Sequence, residues 1–149
     1  MSPAGPRRSC EHAPRGTAVE EKMIAVDGRK LHVSDTGSGP VTLLILSGSN
    51  ILFPSLEYAP LADALSPWYS VLIPSKFGYG HSDLTEAPRD VDTVVEEYRR
   101  VLAACGQPVP VVLAAHSMGF LEALHWARKY PEEVSALVGL DPAVPQVYQ

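Results

Sequence analysis

The sequence is short of cysteine, of positive charge and of long apolar runs, and each shortage removes a class of protein. Its 149 residues include two cysteines, Cys10 and Cys105. Cys10 falls in a stretch without hydrophobic pattern and Cys105 near the end of a predicted helix, so no structural disulfide is expected. Neither spacing forms a metal site or a Cys-x-x-Cys redox pair. The formal net charge is −5, which argues against general nucleic-acid binding, because phosphate contacts need clustered Lys and Arg. The Arg7-Arg8 pair reads as part of a solvated tail. No uninterrupted apolar run approaches the ~18–20 residues that span a bilayer. Met1 to Arg8 hold no apolar stretch of signal-peptide length. A cytoplasmic protein with no membrane partner is the expectation. No internal repeat is visible.

What is present is an apolar share of 46%, enough for the core of one soluble globular domain. Residues 1–18 are rich in Pro, Gly, Arg and Ala and are expected to be a disordered leader, since so little apolar surface cannot offset the entropy of ordering. Residues 19–149 are read as one domain. Met23–Val26 and Lys30–Val33 flank Asp27-Gly28, a strong turn signal, and predict a β-hairpin. Val41–Leu46 is a short apolar run of the kind buried on both faces of a sheet. A helix is predicted over 55–65, a strand over Tyr69–Ile73, and a long helix over 90–105 with Asp90 or Asp92 capping its start and Gly106 at its end. Val109–Ala115 and Val134–Leu140 predict two further buried strands, with a helix over Met118–Tyr130 between them. This alternation implies an α/β fold: a mostly parallel sheet flanked by helices, with an antiparallel hairpin at one edge.

One segment carries chemistry. In Ala115-His116-Ser117-Met118-Gly119 a serine sits between a buried strand and an amphipathic helix. Such a turn is tight, so the residues two before and two after must be small; here they are Ala115 and Gly119. The helix N-terminus behind the serine offers unpaired N–H groups and partial positive charge to a developing oxyanion. The plainer reading of Ser117 is a helix cap.

The segment closely resembles the nucleophile elbow of α/β-hydrolases, Gly-x-Ser-x-Gly, with Ala115 in place of the first glycine. Lys76-Phe77-Gly78-Tyr79-Gly80-His81-Ser82 is similar to the family's Gly-x-Gly-x-Ser loop and the residues before it. Tyr130-Pro131-Glu132-Glu133-Val134 resembles the turn after the elbow helix. Leu43 to Asn50 stands where the family places its oxyanion loop. The resemblance covers residues 22–145. It implies Ser117 as nucleophile, the backbone N–H groups of Ser49 and Met118 as the oxyanion hole, and no metal or organic cofactor. Ser47-Gly48-Ser49-Asn50 has Ser where the family usually has His; because the donor is a backbone N–H, that change does not remove the hole. Asn50 is an alternative, side-chain donor, and a simple Gly/Ser/Asn turn is the plain reading of the loop.

The family order is Ser, acid, His, yet only 32 residues follow Ser117. The strands after which the usual acid and His stand are not in the sequence, so the chain reads as the N-terminal half of the domain, with the C-terminal strands and cap absent. A serine base needs an imidazole within about 2.6–3.2 Å. His116 diverges from its neighbour on a tight elbow, His125 lies ~12 Å along the helix, His32 belongs to the hairpin and His12 to the leader. His81 sits in a loop at the same sheet edge and could line the pocket, but none of the five histidines is a good base. Asp141 ends the strand after the elbow helix, where some relatives place the triad acid; the alternative is a turn with Pro142. Asp35, Glu57 and Asp83 read as loop or helix-surface carboxylates. The last strand would be an apolar edge open to pairing, so association through it is expected.

The leading functional expectation is therefore a serine hydrolase of an ester, amide or similar small-molecule acyl substrate. Ile51, Leu52, Phe53 and Phe120 suggest an apolar acyl or alcohol group, or belong to the core. The alternative is a non-catalytic or vestigial protein that keeps the scaffold for binding. A dinucleotide-binding domain is disfavoured, because Ser47-Gly48-Ser49-Asn50 lacks the Gly-x-Gly-x-x-Gly spacing.

Overall fold

A computed structural model describes residues 18–145; the expected leader, His12 and Cys10 lie outside them. The elements follow in the order β1 (Glu20–Val26), β2 (Arg29–Thr36), β3 (Val41–Leu46), α1 (Pro54–Glu57), α2 (Ala59–Leu65), β4 (Tyr69–Pro74), α3 (Val91–Ala104), β5 (Val111–Ser117), α4 (Gly119–Lys129), a 3-10 turn (Pro131–Glu133) and β6 (Val134–Pro142). The hairpin turns on Asp27 and Gly28, both at positive φ (51° and 76°), the geometry that Asp-Gly accepts at a two-residue turn. Asp90 caps α3 by accepting from the Thr93 N–H.

The six strands form one mixed sheet in the order β1-β2-β4-β3-β5-β6. β1 and β2 are antiparallel, as are β2 and β4, while β4, β3, β5 and β6 run parallel. The chain leaves β3 in one direction to form β4, then crosses back over to form β5 on the other side of β3. That reversal opens a crevice at the carboxyl ends of β3 and β5, where open α/β sheets bind ligands.

Period-2 alternation sorts the core onto two faces. Leu44 and Leu46 of β3 join Leu113, Ala115, Tyr98, Val101 and Trp126 beneath α3 and α4. Leu43 and Ile45 turn the other way, to Val71, Ile73 and Ala62 beneath α2. Both faces of β3 are thus covered, as its unbroken apolar run requires.

Two expectations are corrected. The helix over 55–65 is broken at Tyr58 into α1 and α2. Val134–Leu140, read both as a buried strand and as an open apolar edge, is the edge: among the described residues β6 pairs with β5 alone, none of its residues is fully buried, and Val138 is 43% exposed. Its run looks like that of β3, but sheet order leaves β6 with one partner strand and little helical cover. No helix among the described residues is long and apolar enough to cross a membrane.

Candidate functional site

Ser117 closes β5 two residues before α4 begins at Gly119. Its φ is +49°, in the left-handed region that costs an L-residue roughly 1–2 kcal/mol. Such strain persists only where the surroundings over-determine it, and two glycines do so here. A Cβ on Gly119 would stand 2.7 Å from the Leu46 carbonyl oxygen and 2.8 Å from that of Ser47, so only glycine lets α4 start this close to β3. A Cβ on Gly48 would stand 3.0 Å from the Ser117 Cβ and 3.1 Å from His116 Nδ1. The loop after β3 is therefore pressed directly against the elbow, at the crevice where strand order reverses. Ser49 and Asn50 follow as exposed residues, Asn50 at φ +64°, and Met118 is the N-cap of α4.

Asp141 occupies an irregularity of the neighbouring strand. His116 pairs with Leu140 and Ser117 with Pro142, so Asp141 is the extra residue of a bulge, at φ +46°. The Ala143 N–H donates to the Ser117 carbonyl at 3.0 Å. Asp141 is thereby held beside the Ser117 backbone, exposed, and its carboxylate has no hydrogen bond among the described residues.

The four histidines among the described residues are engaged elsewhere. His81 stands edge-on to His32 (5.3 Å between ring centroids) and Phe53 (5.9 Å), and lines a cleft of about 330 Å³ with His32, Glu21, Met23, Ser55 and Leu56, not with Ser117. His32 Nε2 lies 2.6 Å from Glu21 and its Nδ1 3.3 Å from Ser75 Oγ. His125 Nε2 pairs with Asp92 between α4 and α3 at 2.9 Å. His116 Nδ1 lies 2.9 Å from Tyr58 Oη. None of these rings reaches Ser117 Oγ. Of the carboxylates expected at the surface, Asp83 and Glu57 are exposed, but Asp35 lies within β2, nearly buried, 2.6 Å from Lys22 Nζ. Phe120 packs against the core beneath α4; Leu52 and Phe53 are exposed.

Behind the elbow lies an ionic cluster that no motif announced. Lys76 Nζ donates to Glu122 Oε1 at 2.5 Å, and Tyr98 Oη donates to Glu122 Oε2 at 3.0 Å. Lys76 and Glu122 are each 8% exposed. Burial first, then the Glu122 charge, holds the Tyr98 hydroxyl well above its usual range, so it remains a donor. The cluster ties the loop after β4 to the first turn of α4, behind Ser117. One signal was available: Gly119, Glu122, Ala123 and Trp126 share the buried face of α4, and a carboxylate there demands a cation. Among the described residues, no group of three or more His, Cys, Asp or Glu side chains is placed to hold a metal ion.

Comparison with known proteins agrees with this geometry. A Bacillus subtilis protein, YbdG, is 37% identical over 134 residues, 90% of this chain and 40% of its own length. Lipase LipV of Mycobacterium tuberculosis is 36% identical over 115 residues, 76% of this chain and 42% of its own. The crystal structure of Cfl2 from Burkholderia cenocepacia superposes with a TM-score of 0.78 at 28% identity, over 87% of this chain and 43% of that one. The chain thus spans about two fifths of the length of these relatives. The family model for the alpha/beta hydrolase fold matches residues 43–148, from β3 through the elbow and beyond β6, and the chain belongs to the alpha/beta hydrolase fold family.

Proposed function

We propose that this chain carries the nucleophile half of a serine hydrolase acting on an ester, amide or similar acyl substrate, with Ser117 as nucleophile. One observation carries the reading: a serine is held at φ +49° at the sheet's switch point, against a glycine loop and a helix N-terminus. A residue kept in that conformation by its surroundings is placed for work, because a cap would not need it. In this reading Ser117 Oγ attacks the acyl carbon, the Ser49 and Met118 N–H groups stabilise the oxyanion, and the leaving alcohol or amine departs before water hydrolyses the acyl-serine. Asp141, beside Ser117 on β6, is the candidate acid. An imidazole within about 2.6–3.2 Å must take the serine proton. None among the described residues does so, and the mechanism therefore draws its base from outside residues 18–145. The lipase named among the relatives supports an acyl substrate.

The same lack of an imidazole favours a second reading, a non-catalytic relative that keeps the scaffold for binding. Labelling with a fluorophosphonate separates the two, because a covalent adduct accumulates even when reaction is slow. The expected result is an adduct on the Ser117 peptide, absent in Ser117→Ala and formed faster when free imidazole is added as base. Labelling of Ser117 no faster than of other serines, with or without imidazole, would leave the binding reading in place.

A further inference from the structure

Tyr58 lies at the break between α1 and α2, in none of the motifs of the fold, yet its side chain meets the elbow. Its Oη is 2.9 Å from His116 Nδ1, the residue before Ser117. The two rings meet edge to face, 6.0 Å between centroids and 68° between planes. Gly48, in the loop after β3, packs on the same pair of residues: a Cβ there would stand 3.1 Å from His116 Nδ1 and 3.0 Å from the Ser117 Cβ. The break in the helix has a consequence here: it lets Tyr58 face the sheet beside Leu61 and Leu65, which pack on the β3–β4 face.

We infer that Tyr58 is a positioning residue, whose hydrogen bond to His116 Nδ1 fixes the ring on which Gly48 packs and so holds the loop after β3 against the nucleophile elbow. The inference rests on the reading of Ser117 as nucleophile and of the next amide in that loop, Ser49, as oxyanion donor. Burial raises the Tyr58 hydroxyl above its ordinary range, so it is protonated at neutral pH. The pairing also occupies the His116 nitrogen that faces the loop, which is then not free to serve Ser117. An oxyanion hole acts only if its donors are fixed before charge develops, and this bridge fixes the loop to the strand that bears the nucleophile.

The test uses the full 149-residue chain and two readouts that need no turnover. Imidazole nitrogen NMR should show a hydrogen-bonded His116 Nδ1, and Tyr58→Phe should remove that hydrogen-bond shift. Amide exchange at Gly48 and Ser49 should rise about tenfold in Tyr58→Phe, the scale of one lost neutral hydrogen bond, while amides of β5 keep their protection. His116→Asn, which retains an acceptor near the Nδ1 position, should restore slow exchange relative to His116→Ala. A His116 Nδ1 signal that Tyr58→Phe leaves unchanged, or unchanged exchange at Gly48 in that variant, overturns the inference. Failure of fluorophosphonate to label Ser117 would instead defeat the nucleophile reading, and leaves these two readouts intact as a test of the bridge.

Discussion

Replacing Lys76 by Met should destabilise the chain far more than the loss of one surface lysine, and the cluster behind the elbow sets the magnitude. The side chains of Lys76 and Glu122 are 10% and 11% exposed, so neither charge is hydrated as in water. Lys76→Met keeps most of the aliphatic stem and removes the cation, leaving Glu122 with Tyr98 as its hydrogen-bond donor. Breaking a buried pair from one side costs about 3–5 kcal/mol, because the remaining charge is uncompensated. Domains of this size are stable by about 5–15 kcal/mol in total, so the midpoint of urea unfolding should fall steeply. Lys76→Met combined with Glu122→Leu removes both charges; the double variant should recover most of the loss, ending within about 1–2 kcal/mol of wild type. Trp126 is the reporter, since it is fully buried and stacked on Tyr98 with 6.2 Å between ring centroids, whereas Trp68 is 59% exposed and its signal changes little. A cost below about 1 kcal/mol for Lys76→Met, or strictly additive effects in the double variant, would refute this account of the cluster.

Three other outcomes are expected. Ser117→Gly should unfold at higher denaturant than Ser117→Ala, by about 0.5–1 kcal/mol, because alanine keeps the Cβ at φ +49° and glycine does not; the reverse order would remove strain from the account of the elbow. Gly119→Ala should cost about 1–3 kcal/mol, since the new methyl meets two backbone carbonyl oxygens rather than a side chain that can yield, and a neutral effect by urea titration would show the approach of α4 to β3 to be looser than described. The third concerns acid. The Tyr130 hydroxyl first, then Lys129 and Arg99, lowers the Glu96 carboxyl from its ordinary 4.5 to about 2. A carboxyl lowered on folding stabilises the fold above its unfolded value, and that contribution is lost as pH falls from about 4.5 towards about 2. Wild type should therefore be more stable than Glu96→Gln at neutral pH, with the gap closing across that window; a constant gap would contradict the assignment.

Much of the architecture was legible because it is written in near neighbours. Asp27-Gly28 dictates its hairpin through backbone conformation alone, Asp90 caps α3 from three residues away, and the apolar run of β3 can be satisfied only with both faces covered. Ala115 and Gly119 around Ser117 announce a tight turn for the same local, steric reason. The rest was settled by contacts between residues distant in the chain. Val134–Leu140 carries a pattern like that of a buried strand, and its exposure follows from its place at the edge of the sheet. His81 was placed near the nucleophile by its loop, but packing on His32 and Phe53 turns it away. Lys76 meets Glu122 across 46 positions and Tyr58 meets His116 across 58, separations at which no periodicity in the sequence speaks. The sequence by itself determined that a strained serine would end a central strand ahead of a helix. Which charges stand behind that serine, which hydroxyl steadies the loop beside it and which histidines fail to reach it were decided only by the tertiary structure, because burial and hydrogen-bond geometry exist only once the sheet has brought those distant segments together.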